Sequence, residues 1–535
     1  MLGVSNWLIL WSVAVAWLGY FLLRLYQVRS FYKDKPKAPG HSFLWGHLGI
    51  MAEMAALMPP HCHPQYYLTE IIHRYNMPGV WYLDLWPIAD PQLIVTDPNA
   101  AAQLLVVSPS PKHRAVEEFV RPVVGSGSII AVNGEAWKFA HRLLGSGFSP
   151  SYVKPMLGTV ADCAVEFNGR LREFAMRGDV ISIEEETAKA VFDIIGNVIF
   201  GISLDAQGAG SPLLGDLRRL MDYMNFLVGC WNPLKKAVEA VKMRAVRRRC
   251  TKVIEEIILD KYKVMKDEKQ LPTRRQAKSI MDRIIADYIQ SGNAGPPGGA
   301  FMESVVANLK TLLVGGHGTT TDTYTWMMTL LSIHPDAMER LRREHDDIFP
   351  PELAESAEML RTNPARTKEL EYTTAVIKET LRLYPVGFTA RATPPGVKIL
   401  DWEGNQFPLD GHMLSLNNFG GHYDPAIWKD PKVFRPERFL GEEGAALPRF
   451  AWRPFERGPR ACMGQDLAMD QMRVLLLLTA RWFDWEVVPK RVNEKPKASY
   501  MDMDLRLGDL AFQEMKMGAA PRSELRMKVK LSGRG

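Results

Sequence analysis

Cys462 is the residue whose type and setting most clearly suggest chemistry. It lies in "RPFERGPRACMGQDLAMDQM", a glycine-containing loop that opens onto a long apolar helix. The chain has five cysteines, and Cys462 is the only one in such a setting. A helix N-terminus stabilises a thiolate through its dipole and its free backbone N–H groups, so this position predicts a lowered thiol pKa. Gly458 permits a tight turn, Gly464 permits close approach of a flat ligand, and Arg460 adds a cation. A lone cysteine is more often a small buried apolar residue than a ligand, but this pattern favours a ligand.

The second unusual stretch is "TLLVGGHGTTTDTYTWMMTLL", residues 311–331, whose apolar periodicity predicts a core helix. Gly315, Gly316 and Gly318 lie at its centre and are followed directly by three threonines. Each interior glycine costs a helix about 1 kcal/mol relative to alanine, and β-branched threonines do not compensate. A core helix weakened at its centre indicates that local stability has been given up for a functional gain.

The loop around Cys462 also matches a specific pattern. F-x-x-G-x-R-x-C-x-G is present in full as Phe455, Gly458, Arg460, Cys462 and Gly464. This stretch resembles the haem-binding loop of the cytochrome P450 family. The resemblance implies that Cys462 is the axial thiolate ligand of haem b, with Phe455, Arg460 and Gly464 in contact with the cofactor. Thiolate ligation donates electron density to haem iron and favours cleavage of the O–O bond.

Two further segments occur in the order expected for that family. "ETLR" contains Glu379 and Arg382, and "FRPERF" contains Arg438 after "HYDPAIWKDPKVF". Alone, a Glu and an Arg three residues apart on a helix form an ordinary surface ion pair worth a few tenths of a kcal/mol. In this order, the resemblance implies a structural Glu–Arg–Arg cluster. The resemblance covers essentially the whole chain and implies the P450 fold.

The resemblance also assigns partners to the haem propionates. Family members use a tryptophan and an arginine four residues later, whereas "GEAWKFAHRLL" places Trp137 and His141 at these positions, with Arg142 next. Histidine can still donate to a carboxylate, so His141 is the predicted contact and Arg142 the alternative. Arg460 and Arg391 are the remaining predicted partners, because buried propionates without cations would be costly.

The glycine-bearing helix resembles the family's distal helix, which crosses the haem face where oxygen binds. Thr319 then falls on the threonine that helps to deliver protons to the oxygen, but the acid that normally precedes it is replaced by Gly318. Asp322 lies four residues after Gly318 on nearly the same helix face, and we predict it as a substitute catalytic acid. The alternative is an ordinary helix aspartate beside a cation. For His317 a packing role is favoured over a proton shuttle.

The elements that must position these residues are mainly helical. Helical periodicity runs through most of residues 100–383, and a loop, "SGNAGPPGGA" at residues 291–300, precedes the distal helix. Four short patches predict strands: "GVWYLDLW", "QLIVT", "GVKILDWEGNQFP" and "LRMKVKL". No βαβ alternation, GxGxxG or Walker loop occurs, which argues against a nucleotide-binding domain. The predicted class is mainly α with small β-sheets.

The N-terminus predicts a single transmembrane helix. Residues 1–23 carry no charged side chain, and aromatic residues lie near both ends of the apolar run. About 20 apolar residues span a bilayer core, and the basic residues that follow predict a cytoplasmic body. A cleaved signal peptide is the alternative, but no small-residue cleavage site follows the apolar run. We predict an anchor at residues 1–26, a basic, proline-containing linker at 27–40 and a catalytic domain at 41–535.

Composition excludes some classes of protein. The 535 residues are 47% hydrophobic and 24% charged, with a net charge of +6, which gives no case for binding nucleic acid. Five widely spaced cysteines do not form a disulfide framework and indicate a reducing compartment.

Together these features predict a haem-thiolate monooxygenase of the endoplasmic reticulum membrane, similar to fungal enzymes of secondary metabolism. The resemblance implies a lipophilic substrate, an NADPH-dependent cytochrome P450 reductase or cytochrome b5 as electron donor, and a monomer. The alternatives are a haem-thiolate isomerase or dehydratase, a fatty-acid or xenobiotic hydroxylase, and a non-catalytic haem sensor. The substrate pocket is expected from residues 112–130, 217–231 and 385–391 and the distal helix. Lys138, Arg453 and Arg457 are the predicted reductase contacts, against the default view that they are solvated surface.

Overall fold

Helices dominate the structure, a computed structural model that describes residues 4–230, 232–267, 271–272, 277–293, 295–488, 506–523 and 525–533. The predicted mainly α class is confirmed. The described helices are α1 (Val4–Phe31), α2 (Leu48–Leu57), α3 (Pro64–Tyr75), α4 (Pro98–Ala102), α5 (Arg114–Val124), α6 (Gly134–Leu144), α7 (Pro150–Val153), α8 (Leu157–Arg177), α9 (Ile183–Phe200), α10 (Pro212–Gly229), α11 (Pro233–Lys266), α12 (Ile280–Gln290), α13 (Gly299–Ile333), α14 (Pro335–Ile348), α15 (Leu353–Thr362), α16 (Glu371–Leu383), α17 (Asn418–His422), α18 (Gly441–Ala446) and α19 (Gln465–Leu477).

The strands are short and form small sheets. They are β1 (Val80–Leu83), β2 (Gln92–Val95), β3 (Val180–Ile181), β4 (Thr389–Arg391), β5 (Ile399–Trp402), β6 (Asn405–Pro408), β7 (Met413–Leu416), β8 (Phe483–Val487), β9 (Glu514–Met515), β10 (Ala519–Ala520) and β11 (Met527–Leu531). One sheet has the order β1-β2-β7-β4 and another β3-β11-β8, while β5-β6 and β9-β10 form hairpins. All four predicted strand patches form strands. The sequence analysis missed β3, β4, β7, β8 and the β9-β10 hairpin. Strands β3, β9 and β10 have only two residues each, too few to show a period.

The predicted core helix is α13, which begins at Gly299, directly after the predicted loop. It remains helical through its glycines because neighbouring elements enclose it. A Cβ on Gly316 would lie 2.8 Å from Cδ1 of Ile195 on α9, so the absence of a side chain lets the two helices pack closely. Tertiary packing therefore supplies the stability that the glycines remove.

The apolar N-terminal segment forms α1, and the helix continues to Phe31, beyond the predicted end of the anchor at residue 26. The segment that follows lies against the sheet. Lys37 bridges to Tyr82 on β1, and Ala38 is buried. The proline-containing linker is thus packed along the body in this structure.

Candidate active site

The Cys462 loop and α13 face each other across a cavity of about 370 Å³. Its surface is mainly apolar, with contributions from Ile129, Phe148, Ile195, Val198, Ile199 and Val386. Seven of the predicted site residues lie on its wall: Trp137, His141, Thr319, Phe455, Arg460, Cys462 and Gly464. Arg391 and Asp322 do not line it. The chain therefore brings a thiol, a threonine hydroxyl and cations to one apolar space.

The loop that carries Cys462 is held by close backbone contacts. Gly458 has φ +74°, and a Cβ there would lie 2.0 Å from the Leu105 carbonyl oxygen, so a side chain is excluded. The Cys462 N–H donates to the Phe455 carbonyl at 2.8 Å. Gly464 caps the N-terminus of α19. These contacts fix the position from which the Sγ atom faces the cavity.

The predicted lowering of the Cys462 pKa is wrong for the free thiol. Burial raises this pKa, and a backbone hydrogen bond involving Gly464 lowers it by less. The exposed surface of Cys462 opens into the cavity, which protein encloses, so desolvation outweighs the helix N-terminus. Coordination to a metal ion deprotonates a cysteine thiol whatever its free pKa.

A group of cations lies at one side of the cavity. Lys112 donates to the Thr389 hydroxyl at 3.0 Å, and Arg391 pairs with Glu456 at 3.3 Å. Burial lowers the pKa of Lys112 to about 7, and the like charge of Arg391 adds to this shift. Burial also lowers the pKa of Arg460 to about 10, again with Arg391 contributing. Burial lowers the pKa of Arg391 as well, so all three cations are desolvated.

Arg460 joins the cation group to α6. It donates to the carbonyls of Val132 at 2.9 Å and Ile129 at 3.2 Å, and its guanidinium lies 4.9 Å from the centre of the Trp137 ring. His141 stacks obliquely on Trp137, with ring centres 5.0 Å apart. Arg142, the alternative to His141, is exposed and absent from the cavity wall.

On the opposite wall, α13 presents its smallest residues. A Cβ on Gly315 would meet nothing within 4 Å, which places open space over this part of the helix. The Thr319 hydroxyl donates to the Gly315 carbonyl at 2.7 Å and faces the cavity. Gly318 also has open space where a side chain would be, but it is not part of the cavity wall. Gly315 is therefore the glycine that leaves room in the cavity across from Cys462.

His317 and Asp322 lie off the cavity wall. His317 is buried, contacts the Phe192 ring and bonds the Leu313 carbonyl at 2.7 Å, and burial lowers its pKa to about 4. This is the packing role that the sequence favoured. Burial raises the pKa of Asp322 well above its ordinary value, with Glu184 adding to the rise and Lys516 opposing it. Burial therefore disfavours the ionised form of the Asp322 carboxyl.

The predicted Glu–Arg–Arg cluster is present and buried. Arg382 Nε donates to Glu379 at 2.7 Å, and Arg438 Nε donates to the same carboxylate at 3.0 Å. The remaining guanidinium N–H groups donate to backbone carbonyls that include those of His422 and Lys429, both at 2.7 Å. The cluster ties α16 to the segment before the Cys462 loop.

Comparison with known proteins decides the identity of this arrangement. The family model described as Cytochrome P450 matches residues 65–504. The chain belongs to the cytochrome P450 family. The crystal structure of the cytochrome P450DA heme domain shares the fold, with a TM-score of 0.71 at 18% identity over 93% of this chain and 96% of that one.

Curated P450 relatives extend over nearly the full length. Cytochrome P450 monooxygenase polC of Polytolypa hystricis is 28% identical, over 98% of this chain and 94% of the relative. Cytochrome P450 monooxygenase acrF of Aspergillus aculeatus is 29% identical, over 88% and 98%. Cytochrome P450 4F3 of Rattus norvegicus is 25% identical, over 92% and 93%. The protein is a P450 monooxygenase with haem b and a cysteine thiolate as iron ligand.

The residues of this P450 fit that cofactor. Cys462 is the residue that would supply the thiolate at the cavity, and the cations beside it would suit propionates. Among the described residues the buried Nε of Arg391 lacks a hydrogen-bond partner, which leaves a donor for an anion. Glu456, the carboxylate that pairs with Arg391, also leaves one buried oxygen without a partner in the described part of the chain. An anionic group at this position would accept from the Arg391 Nε, whereas the free Glu456 oxygen needs a donor.

The structure differs from three sequence-based expectations about residues around the cavity. Arg453 is 2% exposed, so its prediction as a surface contact for a reductase is wrong. Residues 217–226 do not contribute to the described cavity wall, and Trp231 lies outside the described residues. Lys112 was expected only as part of a pocket segment, yet it belongs to the cation group. A lone lysine ahead of an apolar helix gives no sequence signal for that role.

Proposed function

We propose that this P450 inserts one atom of O2 into a lipophilic small molecule of fungal secondary metabolism. The observation that carries the proposal is the apolar lining of the space between Cys462 and Thr319. Apolar walls favour an apolar ligand, and few polar groups are available to fix its orientation. The similarity to fungal P450 monooxygenases supports the same class of substrate.

The electrons come from a separate NADPH-dependent reductase, with cytochrome b5 as an alternative donor. In the proposal α1 anchors a monomer in the endoplasmic reticulum membrane, with the catalytic domain on the cytoplasmic side. The described helix contains a span at Trp7–Phe31 with a mean hydropathy of 1.8, long and apolar enough to cross a bilayer. Lys138 and Arg457 remain as predicted reductase contacts on the Cys462 side.

Haem supplies the oxygen-activating chemistry when it is bound at Cys462, and the chain supplies room and protons. Gly315 leaves space above the thiol, and the Thr319 hydroxyl lies at its edge. The oxygen of that hydroxyl can accept a hydrogen bond from water. To pass a proton on, the hydroxyl must rotate away from the Gly315 carbonyl to which it donates. We assign Thr319 this proton-transfer role.

Asp322 is the proposed source of that proton. It lies one helical turn after Gly318, and burial raises its pKa, which favours the protonated form that a proton donor requires. Arg218 and Lys516 lie close enough to lower that pKa in part, so a shift of either cation changes the proton affinity of the carboxyl. A water molecule must connect Asp322 to Thr319, because Asp322 does not line the cavity.

The role of Asp322 is tested by Asp322→Asn, with Asp336→Asn on the exposed first turn of α14 as the matched control. We expect several-fold more peroxide per NADPH consumed and a larger solvent isotope effect in Asp322→Asn, with no change in the control. Unchanged coupling and isotope effect in both variants would reject the substitute acid and leave Asp322 as a buried helix aspartate.

The overall function is tested by expression in microsomes with reductase and NADPH, followed by untargeted product analysis. We expect oxygen from ¹⁸O2 in a lipophilic product, with both reductase and NADPH required. Gly318 in the place of the acid favours one second candidate, a peroxide isomerase or dehydratase. Turnover of a hydroperoxide without NADPH, and no incorporation of ¹⁸O2, would establish that candidate and exclude the monooxygenase.

A further inference from the structure

Glu456, in the loop that leads to Cys462, has a strained backbone conformation. Its φ is +58°, in the left-handed region that few residues other than glycine adopt. Its N–H donates to the Arg453 carbonyl at 3.0 Å, so the chain turns tightly at this point. Such strain persists only where the surrounding contacts enforce it, and it is concentrated at functional sites. The side chain at this position therefore needs a functional explanation.

The Glu456 side chain lies on the cavity wall, and half of its carboxylate is unpaired. The Oε2 atom pairs with the fully buried Arg391 at 3.3 Å. The Oε1 atom is buried and has no hydrogen-bond partner among the described residues. Because a carboxylate oxygen can only accept hydrogen bonds, Oε1 needs a donor that this part of the chain does not provide.

Arg453, three residues earlier, has the complementary deficit. It is fully buried, and its Nε and Nη1 atoms have no acceptor within the described chain. Burial lowers the pKa of Arg453, and among the neighbouring charges Glu456 opposes this shift most, followed by Asp97. The Asp97 Oδ1 atom already accepts from the N–H groups of Asn99 and Ala100 at the start of α4. A buried guanidinium without acceptors is costly, so Arg453 needs an acceptor from elsewhere.

Asn418 adds another unpaired atom at the same turn. Its Nδ2 donates to the Arg453 carbonyl at 2.8 Å, and the same carbonyl accepts from the Glu456 N–H. The Asn418 Oδ1 atom is buried and lacks a donor in the described part of the molecule. Asn418, Arg453 and Glu456 thus meet at one peptide group, and together they leave two donors and two acceptors unpaired. We call these three residues the turn cluster.

Water is the ligand whose chemistry suits the turn cluster. A water molecule accepts from a guanidinium and donates to carboxylate and amide oxygens, so it can satisfy both kinds of unpaired atom. A small anion would accept from Arg453 but could donate nothing to the oxygens of Glu456 and Asn418. The mixture of donors and acceptors therefore favours water over an anion.

We propose that the turn cluster binds a buried water, through which Arg453 holds the Glu456 carboxylate beside Arg391. Glu456 is then a positioning residue for the cofactor, because it fixes the guanidinium whose Nε is left for a propionate. It also adds a negative charge at the cavity wall, and a negative charge near haem favours the ferric over the ferrous state. The cluster thereby lowers the reduction potential of the bound cofactor.

The effect of the charge is tested with Glu456→Gln in a redox titration of the full-length holoenzyme. At a fixed applied potential we expect about a tenfold higher ratio of ferrous to ferric protein than in the wild type, which corresponds to about 59 mV for one electron. Only haem-loaded molecules contribute to this signal, so a lower yield of holoenzyme does not obscure it.

The matched control is Glu486→Gln on β8, which removes the same charge from an exposed pair with Lys530 at 2.8 Å. Its ratio of ferrous to ferric protein should stay within twofold of the wild type. A change of less than twofold in both variants would overturn the redox role of Glu456.

The water is tested by a crystal structure of the wild-type holoenzyme and by a second crystal soaked in bromide. We expect density for one water within hydrogen-bond distance of Arg453, Glu456 and Asn418, and no anomalous bromide signal at this position. A direct hydrogen bond between Arg453 and Glu456 would overturn the water site. Bromide at the turn cluster would overturn it as well and would identify an anion site instead.

Discussion

Two buried groups of charged residues in this P450 differ in how their hydrogen bonds are satisfied. In the first, Arg382 and Arg438 share the Glu379 carboxylate, and their remaining N–H groups donate to backbone carbonyls. In the second, Lys112 and Arg460 line one side of the cavity, Arg391 is fully buried beside them, and within the described chain Arg391 keeps a buried donor without an acceptor. The hydrogen bonds of the first group are satisfied within the protein, whereas the second keeps a donor that an added anion would accept.

This difference separates a structural cluster from a binding site. Burying a charge is tolerated when it is paired and hydrogen-bonded, so the first group can stabilise the fold without a ligand. Unneutralised cations at a cavity cost the free chain stability, and an anionic cofactor offsets that cost when it binds. The pKa values report the same contrast, because desolvation lowers that of Lys112 to about 7.

The largest effect is expected from Glu379→Gln. Loss of the shared carboxylate leaves two buried guanidinium groups without a counter-charge, which costs about 3–5 kcal/mol. We expect little folded holoenzyme, measured by the reduced-CO difference spectrum and by chemical unfolding. The control is Glu358→Gln, which breaks an exposed pair with Arg361 of the same i,i+3 spacing and should cost less than about 1 kcal/mol. Similar stability of the two variants would contradict a structural role for the cluster.

Lys112→Met should weaken haem binding without destabilising the fold, the opposite of the effect expected for Glu379→Gln. The free energy of unfolding of the cofactor-free chain should stay the same or rise, because a desolvated cation is removed. Haem retention should fall by about 10- to 100-fold, in keeping with about 1.5–3 kcal/mol for a hydrogen bond to a charged group. Haem transfer to apomyoglobin measures the retention. A cofactor-free chain that is destabilised, with haem retention unchanged, would place Lys112 in the structural group instead.

The pH dependence of stability and of haem affinity should also distinguish the cavity cations from the Glu379 cluster. In the folded cofactor-free chain the pKa of Lys112 is lowered from 10.5 to about 7, so between these values the folded chain binds fewer protons than the unfolded chain. Its free energy of unfolding should therefore rise with pH across this window. A propionate partner restores the charge, so haem affinity should fall above pH 7 by up to about tenfold per pH unit. Titrations of the wild type and Lys112→Met should differ in this slope, and equal slopes would assign the proton elsewhere.

The smallest effect is expected at α6. His141 lies on the cavity wall beside Trp137, whereas Arg142 is exposed and absent from the wall. His141→Ala should weaken haem retention by a few-fold, as expected for about 1 kcal/mol from a single hydrogen bond. Arg142→Ala should have no effect in the same transfer assay. The reverse order of the two variants would make Arg142 the cofactor contact.

The sequence could predict the parts of the site that are local in the chain. The pattern around Cys462 needs a turn at Gly458 and a helix start after Gly464, and both follow from short-range backbone constraints. The low helix propensity at the centre of α13 could also be predicted from the sequence, because glycines in an apolar helix are costly wherever they occur. The role of Lys112 in the cation group could not be predicted from the sequence, because it depends on Arg391 and Glu456, which are far away in the chain.

By itself, then, the sequence determined the family, and it predicted a thiolate at Cys462, a distal threonine at Thr319 and a missing acid at Gly318, all from residue types at fixed spacing. Only the tertiary structure decided which charges are satisfied. Arg453 and Arg460 are both arginines of one loop, yet the first is buried and the second reaches the cavity. Residues 27–40 were likewise expected to be a spacer, whereas in the structure this segment packs against β1. Burial and pairing depend on contacts between distant segments, and no local pattern records them.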